Sequence, residues 1–206
     1  AVALAAGSAV LRLAPDRRES LFGRISRITL ISDRVFGGAS DVALEPTRRG
    51  IRFRYGLSPV ASHPWAGLNL KLADSIHGPL DLGAWERLEI RARCTRGRPL
   101  RIQLLSDDAP PGTSLRDSIH PIYHALEFNP DSTREPFAWT AFTIPSWWRV
   151  QRSRSDVQRL DLLDRLRAIE FHSGDSPSGR DTSSVEILEL DLVGENRTAT
   201  VIGWVL

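Results

Sequence analysis

Apolar residues recur at every second position along most of this chain. That period is what a half-buried β-strand imposes. Ile51, Phe53 and Tyr55 alternate with Arg52 and Arg54, and Leu68, Leu70 and Leu72 alternate with Asn69 and Lys71. Leu88, Ile90, Ala92 and Cys94 alternate with Glu89, Arg91 and Arg93. Leu100, Ile102 and Leu104 follow a turn over residues 95–99, and Ile122, His124, Leu126 and Phe128 form another strand. Residues 137–144 are apolar on both sides and read as a strand buried on two faces. Ile169 and Phe171 mark the next strand, and Leu188, Leu190 and Leu192 the last. Turn-rich stretches cover 107–118, 129–136 and 173–184, and only 155–166 has helical character. About nine or ten strands with almost no helix predict an all-β fold, a single antiparallel β-sandwich of two sheets with short helical or frayed termini.

The chain has 206 residues and is 41% hydrophobic, enough for one large β domain with a true core. Basic residues number 27 against 25 acidic ones, so the net charge is only +2. Lys71 is the one lysine; the other cations are arginines, scattered and often alternating with Glu or Asp along strands. Nucleic-acid binding calls for a basic stripe, which this pattern lacks. The single cysteine, Cys94, excludes an internal disulfide and falls on the apolar side of its strand. Both ends are apolar, in AVALAAGSAVLRLA and in TATVIGWVL. Each is shorter than the roughly 20 residues that span a bilayer. We read them as stubs of membrane helices, with an N-terminal segment at 1–23, a ligand-binding domain at 24–195 and a C-terminal segment at 196–206.

Catalytic signatures are sparse. The chain holds no G-x-S-x-G elbow, P-loop or Cys-x-x-Cys pair. Glu189, Asp191 and Glu195 are similar to the acidic strand of laminarinase-like glycoside hydrolases, but the third acid comes one residue late. Alternating acids on a strand more commonly form a solvated face. His120 and His124 are four apart, which does not converge on a strand as it would on a helix.

The aromatics point to a ligand instead. Trp147 and Trp148 follow a proline in IPSWWRV, with Arg149 next. Adjacent side chains diverge, so one ring is expected inside and the other at least partly exposed. Trp85 and Trp139 sit in strand-like contexts and are expected in the core. Trp65 follows His63-Pro64 at a strand start. Flat rings with polar neighbours suit stacking on a sugar or another planar ligand. The candidate ligand-binding residues are Trp147, Trp148, Arg149, Trp65, His63 and Tyr123.

Short motifs also carry a family likeness. Residues 32–40, SDRVFGGAS, resemble the opening motif of the complex I intermediate-associated proteins. In the same order follow Pro64-Trp65-Ala66-Gly67-Leu68, then LDLGAWERL over 80–88, Trp139 with Phe142-Thr143-Ile144-Pro145, and VEILELDL over 185–192. That order is similar to family 11 carbohydrate-binding modules, and both groups share the galactose-binding-like jelly roll. The chain most resembles the jelly-roll sensor domains found outside the membrane in bacterial receptors. The resemblance implies a non-catalytic, periplasmic domain that recognises a small molecule or carbohydrate, is anchored through its flanking segments and sits in a homodimeric receptor. A carbohydrate-binding module of a glycan-active enzyme is the alternative, and a protein-assembly factor is a third reading. The resemblance requires no cofactor. It suggests one structural calcium ion held by Asp33 or Asp41 together with Asp191. The Gly37-Gly38 pair reads as a tight structural turn.

Overall fold

A computed structural model describes residues 16–73, 78–96, 98–106, 122–152, 165–174 and 181–195. The strands are β1 (Arg17–Ser20), β2 (Arg27–Ser32), β3 (Asp41–Glu45), β4 (Ile51–Leu57), β5 (Ala66–Lys71), β6 (Arg87–Cys94), β7 (Leu100–Ser106), β8 (Ile122–Phe128), β9 (Asp131–Ala138), β10 (Leu166–Ser173) and β11 (Asp181–Gly194). One short helix, α1, spans Ser146–Arg152. A 6-stranded sheet runs β3-β4-β11-β6-β9, with β1 also on β11, and a 5-stranded sheet runs β2-β5-β10-β7-β8. All pairings are antiparallel. The fold is a jelly-roll β-sandwich.

The inner faces follow from the alternation. Phe53, Tyr55, Leu88, Ile90, Val185, Ile187, Leu190 and Leu192 meet Leu68, Leu70, Ile102, Leu104, Ile169 and Phe171 in one core. Trp85 is buried and Trp139 packs partly buried against that core. β11 changes phase at Leu188, where the register to β6 slips between Ile187 and Glu189. This bulge puts Ile187 and Leu190 on the same face and leaves Leu188 outside the regular ladder. Gly50 sits against it with φ +72°, and a Cβ there would lie 2.0 Å from the Ile187 carbonyl oxygen.

The outer face of the six-stranded sheet is a lattice of ion pairs. Arg52 and Arg93 both donate to Glu186, at 2.8 and 2.6 Å. Arg91 and Arg134 face each other across β6 and β9. Glu189 accepts from both. Glu89 and Asp191 face each other across β6 and β11. Arg18 approaches both, at 2.6 and 3.9 Å. Each like-charge pair on this sheet thus has a counter-charge between its members.

Several expectations shift. Residues 17–23, assigned from the sequence to an N-terminal segment, belong to the sandwich: β1 pairs with β11, and Leu21 is fully buried. The strand expected over 137–144 ends at Ala138. A 3-10 turn at Trp139–Ala141 follows, and Thr143 bridges to Ala125. The strand there is β9, in a stretch that reads as turn, because an exposed edge strand containing Pro136 lacks an apolar period. The expected helix at 155–166 falls largely on residues outside those described. So do both apolar ends, 1–15 and 196–206, and His77 and His120. Among the described residues no helix is long and apolar enough to cross a membrane.

Candidate functional site

Pro145 starts α1. Its carbonyl accepts from the Trp148 and Arg149 N–H groups, and its fixed φ suits a helix start. Just before it, Thr143 and Ala125 exchange both backbone hydrogen bonds, at 2.7 and 3.0 Å, so this segment lies along the free edge of β8. A helix turns about 100° per residue, so the two adjacent rings part company. Trp148 is only 2% exposed and packs with Ile122 and Ile144. Trp147 is 39% exposed and meets the Tyr123 ring edge-on at 5.3 Å. Trp148 is therefore a plug and Trp147 the accessible ring. Arg149 is exposed beside it.

Tyr123 belongs to the outer face of the five-stranded sheet, and the register defines that face row by row. One row is Arg27, Lys71, Ala168, Leu105 and Tyr123; the next is Thr29, Asn69, Glu170, Gln103 and Ala125; the next is Ile31, Gly67, His172, Arg101 and Glu127. Trp65 precedes β5 with the same parity, and its ring lies 5.6 Å from that of His172. Gly67 is required here, because a Cβ would lie 2.0 Å from the Phe171 carbonyl oxygen. His63 is exposed two residues before Trp65.

Polar groups lie between the rings. Asn69 Nδ2 donates to Glu170 Oε1 at 2.8 Å. His172 Nε2 lies 3.6 Å from Glu170 Oε2 and has no hydrogen-bond partner among the described residues. Arg101 Nε donates to Glu127 at 3.0 Å. Gln103, Glu170 and His172 are all buried. From Trp65 to Tyr123 the face runs about 20 Å along the strands and about 14 Å across them, or about 25 Å corner to corner. Rings at opposite corners with hydrogen-bonding groups between them suit a long polar ligand with flat apolar faces. Of the residues singled out in the sequence, Trp65, Tyr123 and Trp147 lie at the corners of this face. Asn69, Glu170 and His172 are not singled out as a group, because only strand register brings them together.

The other candidates resolve differently. Asp33 is buried, and its carboxylate accepts from the Ser40 N–H at 2.9 Å and the Ser40 hydroxyl at 2.8 Å. This closes the loop in which Gly37 adopts φ +85° and a Cβ on Gly38 would meet the Asp33 carboxyl. Asp41 pairs with Gly56, which pairs with Thr182 of β11. Asp191 lies nine residues further along β11, about 30 Å away. The calcium trio Asp33, Asp41 and Asp191 therefore does not converge. No group of three or more metal-ligating side chains occurs among the described residues. Glu189 is committed to Arg134 and Arg91, whose hydrogen bonds outweigh burial and hold its carboxyl below the usual range. Burial, then the Glu189 charge, pushes the Asp191 carboxyl up. These acids belong to the ion-pair lattice and not to a cleft. His124 faces the core.

No protein-family model matches the chain, and no curated protein matches it either. Solved structures do. The family 11 carbohydrate-binding module of a cellulosomal cellulase from Clostridium thermocellum is similar at a TM-score of 0.57 and 14% identity, over 87% of this chain and 95% of that one. A family 11 module from Clostridium thermocellum in complex with a β-1,3-1,4-mixed-linked tetrasaccharide gives a TM-score of 0.57 and 14% identity, over 87% of this chain and 96% of that one. A solution structure of such a module gives 0.55 and 15%, over 86% and 95%. The likeness fixes the architecture, a jelly roll of the carbohydrate-binding-module type.

Proposed function

We propose that this domain is a non-catalytic glycan-binding module whose ligand lies on the outer face of the five-stranded sheet. The observation that carries this reading is the pairing of the Trp65–His172 corner with the Tyr123–Trp147 corner across a polar row. The ligand chemistry of the similar fold supports it: one such module was solved with a mixed-linked tetrasaccharide. Sugar rings present C–H faces to aromatic rings and hydroxyls to Asn, Glu and His. Trp147 and Trp65 stack, while the partly exposed Asn69, held by the buried Glu170 behind it, fixes orientation. The setting in a glycan-active enzyme leads over a membrane receptor, because a similar structure is a cellulase module. The receptor reading leans on terminal segments outside the described residues. An extracytoplasmic location belongs to the proposal, since polymeric glycans are met there.

The test is affinity electrophoresis on a panel of polysaccharides that includes mixed-linked β-glucan, followed by calorimetry on the retained ones. Trp147→Ala and Trp65→Ala are each expected to weaken binding at least tenfold at unchanged fold. A chain that no glycan in the panel retards is not such a module.

A further inference from the structure

The three like-charge cross-strand pairs of the described sheets are not treated alike. Arg91–Arg134 is bridged by Glu189, and Glu89–Asp191 by Arg18. Arg27 and Lys71 are also direct partners, across β2 and β5. Both are exposed. No hydrogen bond or ion pair reaches either side chain among the described residues. Like charges set directly opposite destabilise a sheet. The other two such pairs in this fold are relieved from within, and this one is left open to solvent.

Its position matters. Arg27 and Lys71 lie on the outer face of the five-stranded sheet, in the same row as Tyr123. Lys71 follows Asn69 by two residues on that face, about 7 Å along β5. The pair therefore forms a third corner of the face assigned to the ligand, with Lys71 three strand spacings, or about 14 Å, and Arg27 four, or about 19 Å, from Tyr123. A counter-charge arriving with the ligand would complete the third pair as Glu189 and Arg18 complete the others.

We infer that the glycan this face selects is anionic, carrying carboxylate or sulfate groups that seat between Arg27 and Lys71. This rests on the glycan reading above and adds the ligand's charge to it. The arginine offers a planar fork and the lysine a compact ammonium, and both suit a carboxylate or a sulfate ester. Exposed pairs are individually weak, so the gain over a neutral polymer is about fivefold for the two together. It shrinks as salt screens them.

One polymer in three forms tests this: mixed-linked β-glucan, the same polymer with its primary hydroxyls oxidised to carboxylates, and its sulfated form. Each is titrated against the wild type, the Arg27→Gln/Lys71→Gln double variant and Lys71→Glu. The wild type is expected to prefer a charged form about fivefold, and which form gains names the carboxylate or the sulfate as source. The double variant is expected to lose that preference and keep its affinity for the neutral polymer. Lys71→Glu supplies an internal partner for Arg27, so it is expected to raise the Tm and abolish the preference. Equal binding of neutral and charged forms by the wild type overturns the inference and leaves the glycan reading standing. So does a preference that survives in the double variant. Absence of binding to all three forms overturns the glycan reading for this polymer class and this inference with it. A Tm for Lys71→Glu no higher than wild type removes the charge frustration on which the inference depends.

Discussion

Arg18 of β1 stands between Glu89 and Asp191, 2.6 Å from one carboxylate and 3.9 Å from the other, and so joins two acids that face each other across β6 and β11. Hydrogen bonds from Arg18 and Arg87 outweigh burial and hold the Glu89 carboxyl low. Removing Arg18 leaves the two acids opposed, with Arg87 as the main remaining partner of Glu89. Arg18→Gln is expected to cost about 1–2 kcal/mol in urea denaturation. Adding Asp191→Asn is expected to recover part of that loss, because it removes one of the opposed charges. A double variant as unstable as the sum of the singles speaks against the bridge.

The two adjacent tryptophans separate stability from binding. Trp148→Ala empties a packed site and is expected to cost about 3–5 kcal/mol. Trp147→Ala is expected to cost under about 1 kcal/mol, since its ring is partly exposed. Thermal melts of the two variants, side by side, check this directly.

His124 makes the fold acid-sensitive. It is 1% exposed, and neither ring nitrogen has a hydrogen-bond partner among the described residues. Burial pushes its imidazole from the ordinary 6.5 down to about 4. Above pH 6.5 it is neutral whether the chain is folded or not. Below that, the unfolded chain takes a proton that the folded chain refuses until about pH 4. Stability is therefore lost as pH falls through this window, by about 3 kcal/mol at its end. His124→Leu removes the proton site and is expected to flatten this part of the profile. Denaturation midpoints of both proteins at several pH values give the answer, and parallel profiles would exclude His124 as the cause.

Gly50 has no tolerance for a side chain. Its φ of +72° and the Ile187 carbonyl oxygen 2.0 Å from a Cβ leave neither the conformation nor the space. Gly50→Ala is expected to destabilise by more than about 2 kcal/mol, read from chemical denaturation.

Much of the sandwich is legible in the sequence, and the limits are physical. β4 and β6 declare themselves because one face of each is buried and the other is wetter. β7 and β10 are buried on nearly every residue, and their alternation survives because the inward positions hold the large apolar side chains. β9 does not, because an exposed edge strand has no such contrast. Residues 137–144 mislead because aromatics that seal the end of a sandwich look like a strand buried on both faces. The seven-residue α1 shows no helical period, although Pro145 is a helix-start signal in plain view. Trp65, Tyr123 and Trp147 stand out as rings near loops. Glu170 and His172 could not be joined to Asn69 without the register of β5 and β10. The calcium reading fails for the same reason, since register puts Asp41 level with the start of β11 and Asp191 near its end.

β11 pairs with β4 through its first half and with β1 at its end, and with β6 along most of its length. It is also the last strand in chain order among the described residues. The six-stranded sheet therefore has no centre until residues 181–194 have been synthesised. On the ribosome, β1, β4 and β6 must wait for the partner that completes them. Every pairing that closes the sheet is made over a long stretch of chain. Such topologies fold slowly, in milliseconds to seconds, and expose bare strand edges while they wait. The arginines and acids along those strands keep the waiting edges charged, which discourages them from pairing with a neighbouring chain.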